Sequence, residues 1–168
     1  MYKDPDMTIS IRRYAPGDIA SLKQLTVQSF GPVCIDKNIE AEFGLLNGND
    51  WAWRKARHID VDVQRQEDGI FVATDGEVVI GYITTWADAD AGLGHIPNLA
   101  VDSDYRGRGI GRQLIEYALS HFRDLGLSHA RIETLAQNDV GQNLYPSIGF
   151  KEVARQVHYC MDLGDDKA

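Results

Sequence analysis

The chain has 168 residues, 43% of them hydrophobic and 25% charged, and carries 17 Lys and Arg against 25 Asp and Glu for a net charge of −8. That balance fits one soluble domain over 1–168 with short polar tails at 1–6 and 164–168, and it argues against a nucleic-acid binder, which needs a basic face. No apolar run approaches the ~18 residues of a membrane span, no signal-peptide core precedes the domain, and two distant cysteines give neither a disulfide framework nor a metal site, so a cytoplasmic location is expected.

From Thr8 to Arg13, Ile9 and Ile11 alternate with polar residues, which predicts a half-buried strand. Pro16-Gly17-Asp18 follows, and Asp18 is a candidate N-cap for a helix carrying Ile19, Leu22, Leu25 and Val27 that stops near Phe30-Gly31-Pro32. Residues 36–66 read as two helices divided at Asn47-Gly48-Asn49-Asp50, with Asp50 capping the second. His58, in that second helix, is most simply a solvated residue. Strands over Gly69–Thr74 and Glu77–Trp86 flank Asp75-Gly76, a strong hairpin signal. A strand follows from His95 to Val101. Pro97 within it has no N–H to give, so a bulge or a one-sided gap in pairing is expected there.

Ile110, Leu114, Ala118, Phe122 and Leu125 form a helical apolar stripe that Gly126 ends. Ser128–Leu135 reads as a strand with Arg131, Glu133 and Leu135 on one face. A short helix with Leu144, Tyr145 and Ile148 follows, with Asp139 and Gln142 resembling a capping pair. Phe150–Leu163 is strand-like through Val153, Val157, Tyr159 and Met161, and Cys160 reads as a small core residue. Helices alternating with strands in this order give an α/β domain on a mixed sheet.

Between the strand ending at Val101 and the helix starting at Ile110 lies Asp102-Ser103-Asp104-Tyr105-Arg106-Gly107-Arg108-Gly109. Glycines there can take positive φ and let a ligand approach the backbone, while the first N–H groups of the helix converge on an anion. Arg106, Arg108 and Arg112 add donors suited to phosphate. Gly107, Gly109 and Gly111 read G-x-G-x-G, which is not the dinucleotide spacing, and no Gly-Lys-Ser/Thr follows for a nucleoside triphosphate.

The spacing that does match is Arg-x-x-Gly-x-Gly, from Arg106, Gly109 and Gly111, preceded by Leu99-Ala100-Val101 and Tyr105-Arg106-Gly107. Asn138, Leu144-Tyr145 and Gly149-Phe150 supply a second match downstream. Together they resemble the GCN5-related N-acetyltransferase (GNAT) family. The resemblance implies a mostly antiparallel central sheet flanked by helices, and acetyl-CoA as co-substrate with no metal. It implies that Leu99, Ala100 and Val101 pair with the pantetheine arm. The stretch Arg106, Gly107, Arg108, Gly109, Ile110, Gly111 and Arg112 would hold the pyrophosphate, and Asn138 would bond the pantetheine. Tyr145 would protonate the leaving thiolate. Family members often form dimers, so a homodimer is compatible with it. Pro146, and Val140-Gly141 where alanines are more usual, depart from the pattern.

Acetyl transfer to an amine needs a base, because a lysine-type ammonium has a pKa of ~10.4 and only the neutral amine attacks. Glu133 is the first candidate and His95 the second. Phe30, Trp51, Trp53 and His95 are candidate walls for a small-molecule or peptide amine acceptor. The alternatives are a non-catalytic CoA-binding or sensing module of the same fold, and a transferase using another acyl donor.

Overall fold

The computed structural model describes residues 8–164; the expected tails lie outside them except for Gly164. Five strands form one sheet in sequential order: β1 (Ile9–Arg13), β2 (Ile70–Asp75), β3 (Val78–Asp88), β4 (Leu93–Val101) and β5 (His129–Ile132). The first four are mutually antiparallel, and β5 runs parallel to β4. The mixed, mostly antiparallel sheet expected from the sequence is the one observed.

Helices cover both faces. On one lie α1 (Ile19–Phe30), α2 (Ile35–Phe43) and α3 (Trp51–Gln66). Leu22, Leu25 and Ile59 of α1 and α3 bury against Ile70, Val72, Tyr82 and Ala100. On the other lies α4 (Ile110–Asp124), which sinks Ile110, Leu114, Ile115, Ala118 and Phe122 against Phe71, Ala73, Ile80, Ile83 and Ile96. Each such large apolar side chain contributes about 1.5–3 kcal/mol on burial. The phenyl ring of Phe122 fits only because Gly94 has no Cβ, which would stand 2.5 Å from it. The helix α5 (Asp139–Ile148) packs Leu144, Tyr145 and Ile148 on this second core.

Several sequence expectations shift. Leu125 falls at the C-cap of α4 and is 47% exposed, with Ile115 completing the buried stripe instead. Asp18 is already helical and caps nothing downstream; its carboxylate accepts from the Ala15 N–H and pairs with Arg12 at 2.7 Å. Asn138 rather than Asp139 caps α5, its Oδ1 accepting from the Gly141 N–H at 3.2 Å. The strand expected over 128–135 pairs only to Ile132. The strand expected over Phe150–Leu163 is not formed: beyond Gly149 the described chain has no regular secondary structure, and Val153, Tyr159 and Cys160 are exposed. The alternation there is real in the sequence, but no neighbouring strand receives its hydrogen bonds, and Cys160 is not a core residue.

Candidate active site

The site is built where β4 loses its partner. Thr84 pairs with Asn98 and Trp86 with His95, so Thr85 alone faces both Ile96 and Pro97, a one-residue bulge in β4. On the other side, pairing with β5 ends at Ile96–Ile132. Pro97 offers no N–H to continue the ladder, and the chain after Ile132 leaves the sheet. The stretch from Pro97 to Val101 therefore runs on with its outer edge open. The N–H groups of Asn98 and Asp102 turn inward, to Thr84 Oγ1 at 3.1 Å and the Ile80 carbonyl at 2.8 Å. Strand alternation then directs the N–H groups of Leu99 and Val101 to the open edge. Ser29 at the end of α1 reaches that edge, donating to the Val101 carbonyl at 3.3 Å.

The open strand leads directly into the glycine loop. Gly107 and Gly109 have φ of 75° and 79°, the left-handed region that disfavours side chains. Gly109 is the N-cap of α4, and no side chain caps that terminus. The first-turn N–H groups of α4 thus face outward for an anion. Arg106 is exposed beside them. Arg108 donates to the Asp104 carbonyl at 3.2 Å, with its guanidinium 5.1 Å from the Tyr105 ring. Arg112 donates to Ser147 Oγ of α5 at 2.7 Å and lies 3.7 Å from Glu116, so it ties the two helices bordering the loop. Leu144 packs within 3.6 Å of a Cβ position at Gly111. These residues fit the diphosphate of a CoA thioester: anion donors, no competing cap and no carboxylate at the helix start.

Tyr145 is half-buried against Phe150, ring centroids 6.3 Å apart, and burial pushes its phenol above the ordinary value. Pro146 follows it without breaking α5, since Pro146 lies late in a helix that ends at Gly149. Gly141 does not loosen this helix to no purpose. A Cβ there would stand 2.9 Å from both Asn138 Nδ2 and Thr134 Oγ1 and 3.2 Å from the Tyr145 ring. Its absence lets Asn138 donate to Thr134 at 2.8 Å and the tyrosine lie close to the first turn.

Two cavities meet at Pro97. The first, 390 Å³, is lined by Arg65, Trp86, His95, Ile96, Pro97, Arg131 and Glu133. His95 stacks on Trp86 at 3.7 Å with 4° between the ring planes, and Arg131 is ion-paired with Glu133. Burial, and then the charge of Arg131, hold His95 below the ordinary histidine value, so it is neutral at pH 7. The second cavity, 330 Å³, is lined by Lys55, His58, Val61, Asp62, Pro97 and Asn98. Here the Asn98 amide is a buried bridge. Its Oδ1 accepts from Lys55 Nζ at 2.7 Å, and its Nδ2 donates to Asp62 Oδ2 at 2.7 Å, which also accepts from Thr84 Oγ1 at 2.7 Å. Burial pushes the Lys55 ammonium below the ordinary lysine value. His58 is exposed, as expected, and also lies 3.4 Å from Lys55 through Nδ1 and 3.6 Å from Asp36 through Nε2.

Of the expected acceptor residues, His95 lines the first cavity and Phe30 sits under Lys55, its ring centroid 4.2 Å from Nζ. Trp51 and Trp53 line neither cavity. Trp51 packs over Gly31, and Trp53 is 47% exposed with Arg57 over its ring. Sequence reasoning missed Lys55, Asp62, Asn98, Arg65, Trp86 and Arg131. A signal existed for two of them: Lys55 and Asp62 fall with Ile59 at i, i+4, i+7, the buried stripe of α3, where unpaired charge is costly.

An open strand edge thus runs from a polar cleft at Pro97 to an uncapped, glycine-bounded helix start. Residues 37–150 match the Acetyltransferase (GNAT) family, and the chain belongs to that family. It is 36% identical over 72 residues to N-alpha-acetyltransferase 30 of Saccharomyces cerevisiae, covering 43% of this chain and 41% of that protein. It is 33% identical over 110 residues to the mycothiol acetyltransferase of Nocardia farcinica, covering 60% and 36%. The chain thus spans less than half the length of these two relatives. Its fold superposes on the PaiA N-acetyltransferase of Thermoplasma acidophilum, solved in complex with coenzyme A, with a TM-score of 0.67 at 20% identity over 86% of this chain and 91% of that one. Among the described residues no helix is long and apolar enough to cross a membrane, and no group of His, Cys, Asp and Glu is placed to hold a metal ion.

Proposed function

We propose that the chain is an acetyl-CoA-dependent N-acetyltransferase that moves the acetyl group directly to an amine. The observation that carries this reading is the continuity of the open Pro97–Val101 edge with the uncapped start of α4. One extended ligand with an amide-bearing arm and a diphosphate fits both. Leu99, Ala100 and Val101 take the arm, Asn138 adds a side-chain bond to it, and the loop from Arg106 to Arg112 takes the diphosphate. The thioester carbon then lies near the bulge, and the outward Leu99 N–H is the donor for the oxygen that gains charge.

The acceptor nitrogen attacks the thioester carbon, the C–S bond breaks, and the products are the N-acetyl amine and free CoA. Tyr145 donates its phenolic proton to the leaving thiolate. The raised pKa of its buried phenol keeps that proton in place at neutral pH. Glu133 takes the acceptor's proton through water. His95, neutral and in the same cleft, is the second candidate. Thiol release from acetyl-CoA over a panel of amines tests the reading. Tyr145→Phe is expected to bind CoA normally and to lower kcat by about 100-fold or more. An unchanged kcat removes Tyr145 from the acid role. CoA binding without acetylation of any amine favours a CoA-binding module, and turnover with a longer acyl thioester alone favours another donor.

A further inference from the structure

The first cavity has a charge pattern that bears on the acceptor, given the acetyltransferase reading above. Trp86, His95 and Arg131 are paired neighbours on β3, β4 and β5, so their side chains form a row across the sheet. Arg65, at the end of α3, holds its guanidinium 4.8 Å from the Trp86 ring, and Trp86 in turn stacks on His95. The flat floor fixes the guanidinium in place before any ligand arrives. Arg131 already has its carboxylate, Glu133. Arg65 has none among the described residues. The cleft lining thus holds two guanidinium groups against one carboxylate, Glu133, with Asp88 the next acidic group near His95, in a protein of net charge −8. The neighbouring cavity differs, because Lys55 and Asp62 balance each other there through Asn98.

We propose that the acceptor is an amine that also carries a carboxylate, with Arg65 receiving the carboxylate and the amine directed towards Glu133 and Pro97. A guanidinium fork matches a carboxylate with two parallel hydrogen bonds. The 390 Å³ of the cleft suits a molecule of amino-acid size. Pro97 borders both this cleft and the open strand edge, so an amine at that end meets the acyl group while the carboxylate stays at Arg65.

The test compares matched acceptors with acetyl-CoA as donor: L-phenylalanine with 2-phenylethylamine, L-lysine with 1,5-diaminopentane, and a dipeptide with its C-terminal amide. In at least one pair the carboxylated member is expected to have the higher kcat/KM by tenfold or more. Arg65→Gln is expected to shrink that ratio at least tenfold through KM, and Arg65→Lys to keep part of it. Arg65 is exposed in the last turn of α3 and is no part of the glycine loop, so parental CoA affinity in both variants checks that they are folded. A carboxylated member that is less than tenfold better than its counterpart in every pair overturns the proposal, as does an equal loss on both members in Arg65→Gln. Acetylation of plain amines alone sinks this proposal and leaves the transferase reading standing. Acetylation of neither kind sinks both.

Discussion

Replacing Asn98 by Ala removes a side chain that ties the β4 bulge to α3 through both Lys55 and Asp62. Asn98 is 4% exposed, and its amide makes charged hydrogen bonds at both ends, to Lys55 and to Asp62, each at 2.7 Å. Lys55 is 7% and Asp62 8% exposed, so water does not readily replace the lost partner. A hydrogen bond to a charged group is worth about 1.5–3 kcal/mol, and leaving the partner buried and unmet costs a similar amount. Asp62 keeps Thr84, and Lys55 keeps His58 and the Phe30 ring, which reduces the sum. The expected destabilisation is about 3–5 kcal/mol, a large share of the ~5–15 kcal/mol of an ordinary domain. At ~2–4 °C per kcal/mol for a chain of this size, Tm should fall by about 6–20 °C. Urea unfolding followed by circular dichroism measures the free energy, and thermal unfolding the Tm. The triple variant Lys55→Met, Asn98→Leu, Asp62→Leu should recover much of the loss, because an apolar replacement leaves no stranded charge. A loss below about 1 kcal/mol for Asn98→Ala would refute the claim that this bridge is buried and bonded at both ends.

Gly109→Ala places a side chain at φ 79°, which costs about 1–2 kcal/mol of backbone strain and shifts the α4 start. CoA affinity should fall at least tenfold, and an unchanged Kd would remove this loop from the binding site. Gly141→Ala should gain none of the ~0.8–1.0 kcal/mol that alanine normally brings to a helix, because its Cβ meets Asn138, Thr134 and Tyr145; a rise in Tm of several degrees would contradict that packing. His58, His95 and His121 are all held below their ordinary value, with burial the first cause of each. The unfolded chain then binds more protons just below pH ~6.5, so stability should drop as pH falls through that point, before the carboxylates titrate. A Tm that stays level from pH 8 to 5 would count against it.

Local chemistry made the central part of this architecture legible. The Asp75-Gly76 signal marks a hairpin, one residue out of place, since Asp75 pairs with Val78 and the turn is Gly76-Glu77; Gly126 ends α4, and the missing N–H of Pro97 coincides with the bulge and the end of β5 pairing. The order of strand, glycine loop and helix was readable because each signal lies within a few residues of the next. What escaped was long-range. Lys55 meets Asn98 across 43 positions and Thr84 meets Asp62 across 22, and no spacing rule relates them. The Trp86–His95 stack depends on the register set by the bulge. In Phe150–Leu163 the alternation was a correct local preference with no partner strand to fulfil it, since a strand needs a neighbour and a helix does not. Trp51 and Trp53 misled for a similar reason: an aromatic near a helix start serves packing or surface as readily as a pocket.

The central claim is that the open β4 edge and the α4 start together form a cradle for a CoA thioester. Calorimetric titration of the protein with acetyl-CoA, CoA, ATP and NAD in parallel tests it most directly. The account predicts saturable binding of acetyl-CoA and CoA, with none for NAD and none for ATP. Binding of ATP or NAD without CoA would contradict it and leave Arg106 to Arg112 as a phosphate site of another kind.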